Sequence, residues 1–310
     1  MGVRKIPFDS NKDIPDLSGK VIIVTGGNNG LGKETILQLA KHNPRELYMG
    51  ARNKAKAEEA ISDIKKTVPN ANVKFLEIDI SSLASVKKCA EDFLAHNDRL
   101  DILINNAGIM GVPPGLTEDG YEAQFGTNHM GPALFTKLLL PIMQNTTLIP
   151  GTDVRIVNLS SEAFKFGPKA GLLLSQNKTP LAEISGAARY GQSKLANLYF
   201  TISLAKRYPH IKSNAIHPGL VRTSITNNTT NNYPYLSWVF ALAFRLFMVD
   251  IHDGALPQLF AATYKASDVK SGAFYFPGVT EFAGNAMTEN AKLADELWNW
   301  TEAELKSKGY

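Results

Sequence analysis

A phenol and an ammonium stand four residues apart in the run Tyr190-Gly-Gln-Ser-Lys194. On a helix that spacing puts both groups on one face. A free tyrosine titrates near ~10 and carries protons poorly at neutral pH, but a neighbouring cation stabilises its phenolate and lowers that value. The pair reads as an acid/base couple with Lys194 as the cation. Tyrosine and lysine at this spacing also occur on amphipathic helices as a half-buried ring beside a solvated amine, so the reading depends on what the rest of the chain brings to them.

The elements that position the pair begin at Val21-Ile-Ile-Val-Thr25, a β-branched run of the kind that forms a fully buried strand. Gly26, Gly27, Asn28, Asn29, Gly30, Leu31 and Gly32 follow at once, and then a helical pattern. Strand, glycine turn and helix form a phosphate cradle. The glycines let the backbone turn sharply and approach a pyrophosphate, which then sits on the N-H groups and positive dipole end of the helix. The spacing is Gly-x-x-x-Gly-x-Gly, a variant of the commoner Gly-x-Gly-x-x-Gly.

Along the chain, strand-like runs near 21–25, 46–51, 73–78, 101–105, 154–159, 211–216 and 273–276 alternate with helical patterns near 30–42, 54–67, 83–96, 120–144, 187–207, 252–264 and 287–306. This rhythm predicts an α/β fold: a single Rossmann-type, doubly wound domain with a seven-stranded, mostly parallel sheet flanked by helices on both faces. Ligands of such a sheet gather beyond the carboxyl ends of its strands, where the motifs fall. No linker or repeat divides the chain, so 1–310 reads as one catalytic domain with an extension at 1–17.

Thr25 to Gly32, Asn106-Ala107-Gly108, Asn128, Ser160-Ser161, Tyr190 with Lys194, and Pro218-Gly219 resemble, in this order and over nearly the whole chain, the motifs of the short-chain dehydrogenase/reductase family. Gly32-Lys-Glu-Thr, Gly50-Ala-Arg52-Asn and Asn128-His-Met-Gly131 are most similar to its retinol-dehydrogenase-like branch. The resemblance implies an NADP(H) oxidoreductase that interconverts hydrophobic ketones or aldehydes and their alcohols, with reduction the favoured direction. It implies that Tyr190 passes the proton, Lys194 lowers its pKa and holds the ribose, Ser161 hydrogen-bonds the substrate oxygen, and Asn128 anchors a water relay. Ser160 and Ser161 at a strand end point to opposite sides, so only one faces substrate, and alignment with the family favours Ser161. The stretch from Ser161 to Tyr190 is longer than in many members, an insertion positioned to line the pocket.

A dinucleotide fold that prefers NAD places a carboxylate after its second strand, and here Ala51 is followed by Arg52, a permanently charged fork matched to a 2′-phosphate. NADP(H) is therefore the expected cofactor, the other reading of Arg52 being a surface charge opening the next helix. Lys33 either adds positive field or faces solvent. By resemblance Asp79 contacts the adenine, and it also reads as a helix cap before Ser81-Ser82. Asn106, Ala107 and Gly108 allow close approach to the cofactor while the Asn106 amide ties neighbouring strands. By resemblance again, Pro218 and Gly219 belong to the cofactor site, and Val221 and Thr223 hold the nicotinamide carboxamide.

The segment 224–250 reads as a substrate lid, its run 233–248 apolar and aromatic. The same run also reads as a core helix or a homo-oligomer contact, and third as a helix lying on a membrane or lipid droplet. It is too short to span a bilayer and contains Arg245. A net charge of +4, dispersed, makes no case for nucleic acid. Cys89 is the lone cysteine and the histidines show no metal-ligand spacing, so neither a disulfide nor a metal site is expected, and a cytoplasmic setting fits. His129 and His217 read as packing or hydrogen-bonding residues. The partner expected is a hydrophobic small molecule. Rival readings are an NADP(H)-binding sensor or scaffold without turnover, and a membrane-surface module built on 233–248.

Overall fold

The computed structural model describes residues 4–221 and 248–310. Its strands are β1 (Arg4–Lys5), β2 (Val21–Thr25), β3 (Glu46–Ala51), β4 (Val73–Glu77), β5 (Ile102–Asn105), β6 (Val154–Leu159), β7 (Ile211–Ile216), β8 (Leu220–Val221), β9 (Met248–Val249), β10 (Phe274–Phe276) and β11 (Thr280–Glu281). The main sheet runs β1-β11-β10-β7-β6-β5-β2-β3-β4, and β8 and β9 form a separate parallel pair. From β2 the chain steps outward through β3 and β4, then crosses back to β5 and steps outward the other way. Parallel pairing aligns Thr25 with Gly50 on one side of β2 and Val24 with Ile104 on the other. That reversal opens a crevice beyond the carboxyl ends of β2 and β5.

The seven expected strands are present, but among the described residues the main sheet has nine. The additions are β1 and β11, two residues each, which pair antiparallel at the β10 edge with Arg4 opposite Glu281 and Lys5 opposite Thr280. A two-residue strand has no periodicity to read. Residues 6–17 also join the body of the fold: Ile6, Ile14 and Leu17 are buried, and the Ile6 N-H donates to the Val279 carbonyl.

Helices cover both faces because each buries an apolar stripe. On one side α1 (Gly30–Ala40), α2 (Lys54–Thr67) and α7 (Ile251–Thr263) pack over Ile22, Val24 and Ile104. On the other, α3 (Leu83–Leu94), α5 (Gly131–Thr147) and α6 (Gly186–Arg207) pack over Ile23, Leu103 and Ile156, and α8 (Ala291–Ser307) adds Leu297 and Leu305 to that core. Each such side chain contributes about 1.5–3 kcal/mol on burial. Among the described residues no helix is long and apolar enough to cross a membrane.

The helix expected over 120–144 is broken into a short turn α4 (Ala123–Phe125), a π-turn over Gly126–Met130, and α5. Apolar periodicity does not show such a bulge, yet π-turns concentrate at functional sites. This one carries Asn128 and His129. His129 is fully buried among Phe125 and Phe200, with Nε2 3.0 Å from the Thr301 hydroxyl on α8.

Burial holds the His129 ring neutral and pushes its pKa from the ordinary 6.5 to about 3. A group whose folded pKa is depressed takes up a proton in the unfolded chain first, so its contribution is full above pH 6.5 and is lost as the pH falls below that value. The wild type is therefore expected to lose up to about 1.4 kcal/mol per pH unit more than His129→Gln between pH 6.5 and 4.5. Urea melts across that range check it; equal slopes would refute the assignment.

Candidate active site

β2 delivers its chain into a turn whose glycines are required by close packing. Gly26 and Gly30 adopt left-handed backbone, φ 66° and 52°. A Cβ on Gly32 would collide with the Gly26 carbonyl, and one on Gly27 with Ile36, so the turn is drawn tight against β2 and α1. Asn28, Asn29 and Gly30 form the outer tip, while Leu31 closes the inner side against the cavity described below. The first turn of α1 contains no acidic residue to oppose its positive end. Asn106 braces the turn: its Nδ2 donates to the Thr25 carbonyl at 2.8 Å, and the Asn106 and Ala107 N-H groups donate to Thr25 Oγ1 at 3.0 Å. The strand-tying role expected of Asn106 is thus visible in its bonds. Its Oδ1 is buried and has no hydrogen-bond partner among the described residues, a polar atom beside the crevice.

Arg52 follows β3 with its side chain 75% exposed, and its guanidinium lies 3.9 Å from the Asp79 carboxylate. Asp79 accepts from the Ser81 N-H at 2.9 Å and the Ser81 hydroxyl at 2.6 Å. The cap of α3 is Ser82 rather than Asp79. Lys33 does not stand free: it pairs with Asp63 at 2.8 Å.

At the end of β6 the two serines diverge. Ser160 is buried and its hydroxyl donates to the Lys194 carbonyl at 2.7 Å, whereas Ser161 is only half-buried and lines the same cavity as Tyr190. Ser161 Oγ also accepts from the Ala163 N-H at 3.1 Å. Ser185 caps α6, which then carries Tyr190 and Lys194 one turn apart. Lys194 is buried, donates to the Leu159 carbonyl at 3.0 Å, and holds its ammonium 5.5 Å from the centre of the Tyr190 ring. Burial pulls its pKa down to about 8.

One expectation is corrected here. Burial pushes the Tyr190 phenol up to about 12, and the group that draws it back down is Ser161. Desolvation of the phenolate outweighs the ammonium, which lies 5.5 Å from the ring centre.

Asn128 hangs from the π-turn and spends its amide on structure. Its Oδ1 accepts from the Ile109 N-H at 2.8 Å, and its Nδ2 donates to the Ile109 carbonyl and the Ser193 hydroxyl, both at 2.9 Å. Gly108 must lack a side chain because a Cβ there would lie 2.9 Å from Asn128 Oδ1. Beyond β7, Gly219 is left-handed at φ 84°, and Val221 is buried against Gly254 and Leu31. Thr223, residues 224–247 of the expected lid and 233–247 of its apolar run lie outside the described residues.

These elements enclose a cavity of about 830 Å³. Ser161, Tyr190 and Lys194 meet Asn106, Gly108, Pro218, Gly219 and Val221 on its surface, and most of the remaining lining is apolar. Phe166 and Leu220 are its exposed apolar members, at 68% and 51%. Residues that the sequence did not single out also reach it: Met110, Val112, Ile184 and Arg189. The only signal for Arg189 is its place beside Tyr190, and a lone arginine on a helix reads as solvated.

Residues 20–234 match the family model described as short chain dehydrogenase. The chain is 36% identical to a short-chain dehydrogenase/reductase of Aspergillus calidoustus, over 95% of this chain and 96% of that one. It is 37% identical to retinol dehydrogenase 12 of Mus musculus, over 94% of this chain and 86% of the relative. Among solved structures it is similar to an uncharacterized protein from Mycobacterium paratuberculosis, with a TM-score of 0.75 at 30% identity, covering 96% of this chain and 97% of that one.

Proposed function

The chain belongs to the short-chain dehydrogenase/reductase family, and from that membership we propose that it is an NADP(H)-dependent carbonyl reductase, converting a hydrophobic ketone or aldehyde to its alcohol. The observation that carries the reading is the meeting of Ser161, Tyr190 and Lys194 with the end of the glycine turn on one largely apolar cavity. The preference for NADP(H) rests on Arg52, which stands where an NAD-selective fold keeps a carboxylate. The residues fit a dinucleotide: the α1 amino terminus and the tip Asn28 to Gly30 for its pyrophosphate, Arg52 for a 2′-phosphate, Lys194 for the ribose, and Val221 for the carboxamide.

When bound, NADPH supplies the hydride. The protein's part is to hold the carbonyl oxygen and provide one proton. Tyr190, protonated throughout the neutral range, is the donor, and its O-H reaches the developing alkoxide. Ser161 shares that oxygen and stabilises its negative charge. Below pH 8 Lys194 is an ammonium and favours the phenolate left behind. Asn128 keeps the Ile109 backbone beside the pair in place.

The test is NADPH oxidation, followed by absorbance, against a panel of apolar aldehydes and ketones, with NADH as control. Turnover is expected with NADPH. In Arg52→Asp the affinity for NADPH is expected to fall at least tenfold further than that for NADH; equal losses would remove the 2′-phosphate assignment. Tight NADPH binding with no turnover on any panel member would overturn the reductase.

A further inference from the structure

Arg189, one residue before Tyr190, is buried to 2% exposure and its guanidinium meets four groups from three segments. Nη2 donates to the Val112 carbonyl at 2.9 Å. Nη1 donates to the carbonyls of Ile184 at 3.0 Å and Leu181 at 3.3 Å. Nε lies 3.1 Å from the buried carboxylate of Glu122, whose other oxygen accepts from the Phe125 N-H at 2.7 Å at the start of the turn carrying Asn128. A second buried side chain repeats the connection. Gln124 donates to the Gly186 carbonyl and accepts from the Gly111 N-H, both at 3.0 Å.

Val112 and Gly111 belong to one stretch of the cavity wall, with Met110 and Pro113; Ile184 and Gly186 belong to a second, with Ala182, and the two stretches share the partners Arg189 and Gln124. One planar guanidinium bonded to both stretches keeps the Val112 and Ile184 oxygens within about 8 Å of each other. Leu181 is left-handed at φ 48°, a strained conformation for a leucine, and its carbonyl is one of those held. The ties are also costly to assemble, since a buried charge is tolerated only when its partners are in place.

We infer that Arg189 and Gln124 are specificity-determining positioning residues: they clamp the two stretches of wall at a fixed separation and so select unbranched apolar chains over bulky ring systems. The inference rests on the proposed reductase for its substrate and on the hydrogen bonds alone for the clamp.

Arg189→Lys keeps a charge for Glu122 but replaces the fork by a single ammonium. Gln124→Met removes the second tie without touching the ion pair, and thermal melts show which variants fold. Two readouts follow. By hydrogen exchange, the segments 109–115 and 178–187 should exchange faster in the variants while the β2, β5 and β6 amides hold; unchanged exchange in both segments overturns the clamp. By kinetics, the ratio of kcat/KM for decanal to that for 2-adamantanone, a cage ketone of equal carbon count, should fall about tenfold; a ratio within twofold of wild type overturns the specificity role even where exchange has changed. NADPH affinity serves as control and should not move. A wild type that reduces neither probe yields no ratio, and the reductase assignment is then decided by the wider aldehyde and ketone panel. Binding of the unbranched fluorophore cis-parinaric acid then replaces the ratio, with about tenfold weakening expected and undiminished binding overturning the inference.

Discussion

Replacing Tyr190 with Phe is expected to remove a hundred- to ten-thousand-fold of turnover, about the worth of one general acid, while leaving NADPH affinity in place. The substitution deletes one oxygen, and Lys194 keeps its own anchor on the Leu159 carbonyl. The loss should therefore fall on kcat rather than on cofactor binding, and stopped-flow reduction with a separate NADPH titration distinguishes the two. Retained turnover would overturn Tyr190 as donor. The pH profile of the wild type gives a second check. Burial has drawn Lys194 down to about 8, so its ammonium is lost as the pH rises through 8, and reductive turnover should decline above that value. Stability moves oppositely in that window: between 8 and the ordinary 10.5 the unfolded chain holds the proton and the native chain does not, so the native state gains as pH rises.

Gly131→Ala is expected to be the most damaging small substitution outside the catalytic residues. Gly131 begins α5 directly after the π-turn, and a Cβ there would overlap the Ile80 carbonyl oxygen. Backbone cannot yield as a flexible side chain can, so α5 must shift, at about 2–3 kcal/mol, or roughly 3–5 °C in melting temperature for a chain of this size. Because Asn128 lies three residues earlier, the shift should also release Ile109 and lower kcat. A variant that melts within about 1 °C of wild type with full turnover would show that the contact relaxes freely.

Much of this was legible in the residue pattern. The seven principal strands follow from β-branched runs such as Val21–Thr25 and Val154–Leu159, whose every residue is buried. Tyr190 and Lys194 are set by helical spacing, and the divergence of Ser160 from Ser161 by strand alternation. What escaped depends on partners distant in sequence. The π-turn has the composition of an ordinary helix, Lys33 is claimed by Asp63 thirty residues on, and the phenol is raised because burial, which depends on the folded surroundings, outweighs a cation placed at the right spacing. Arg189 and Gln124 are ordinary helix residues until the loops they bind are folded around them.

The edge pairing of Arg4–Lys5 with Thr280–Glu281 also sets an order of events during synthesis. Strand β1 cannot find its partner until residues 280–281 have been translated, and closing so long a loop makes that pairing late. Until then β7, whose outer neighbour β10 is also made late, presents an open parallel edge. The nascent protein thus passes through an interval in which its nucleotide crevice is already encoded and its sheet is still unsealed, the interval in which a chaperone would have most to protect.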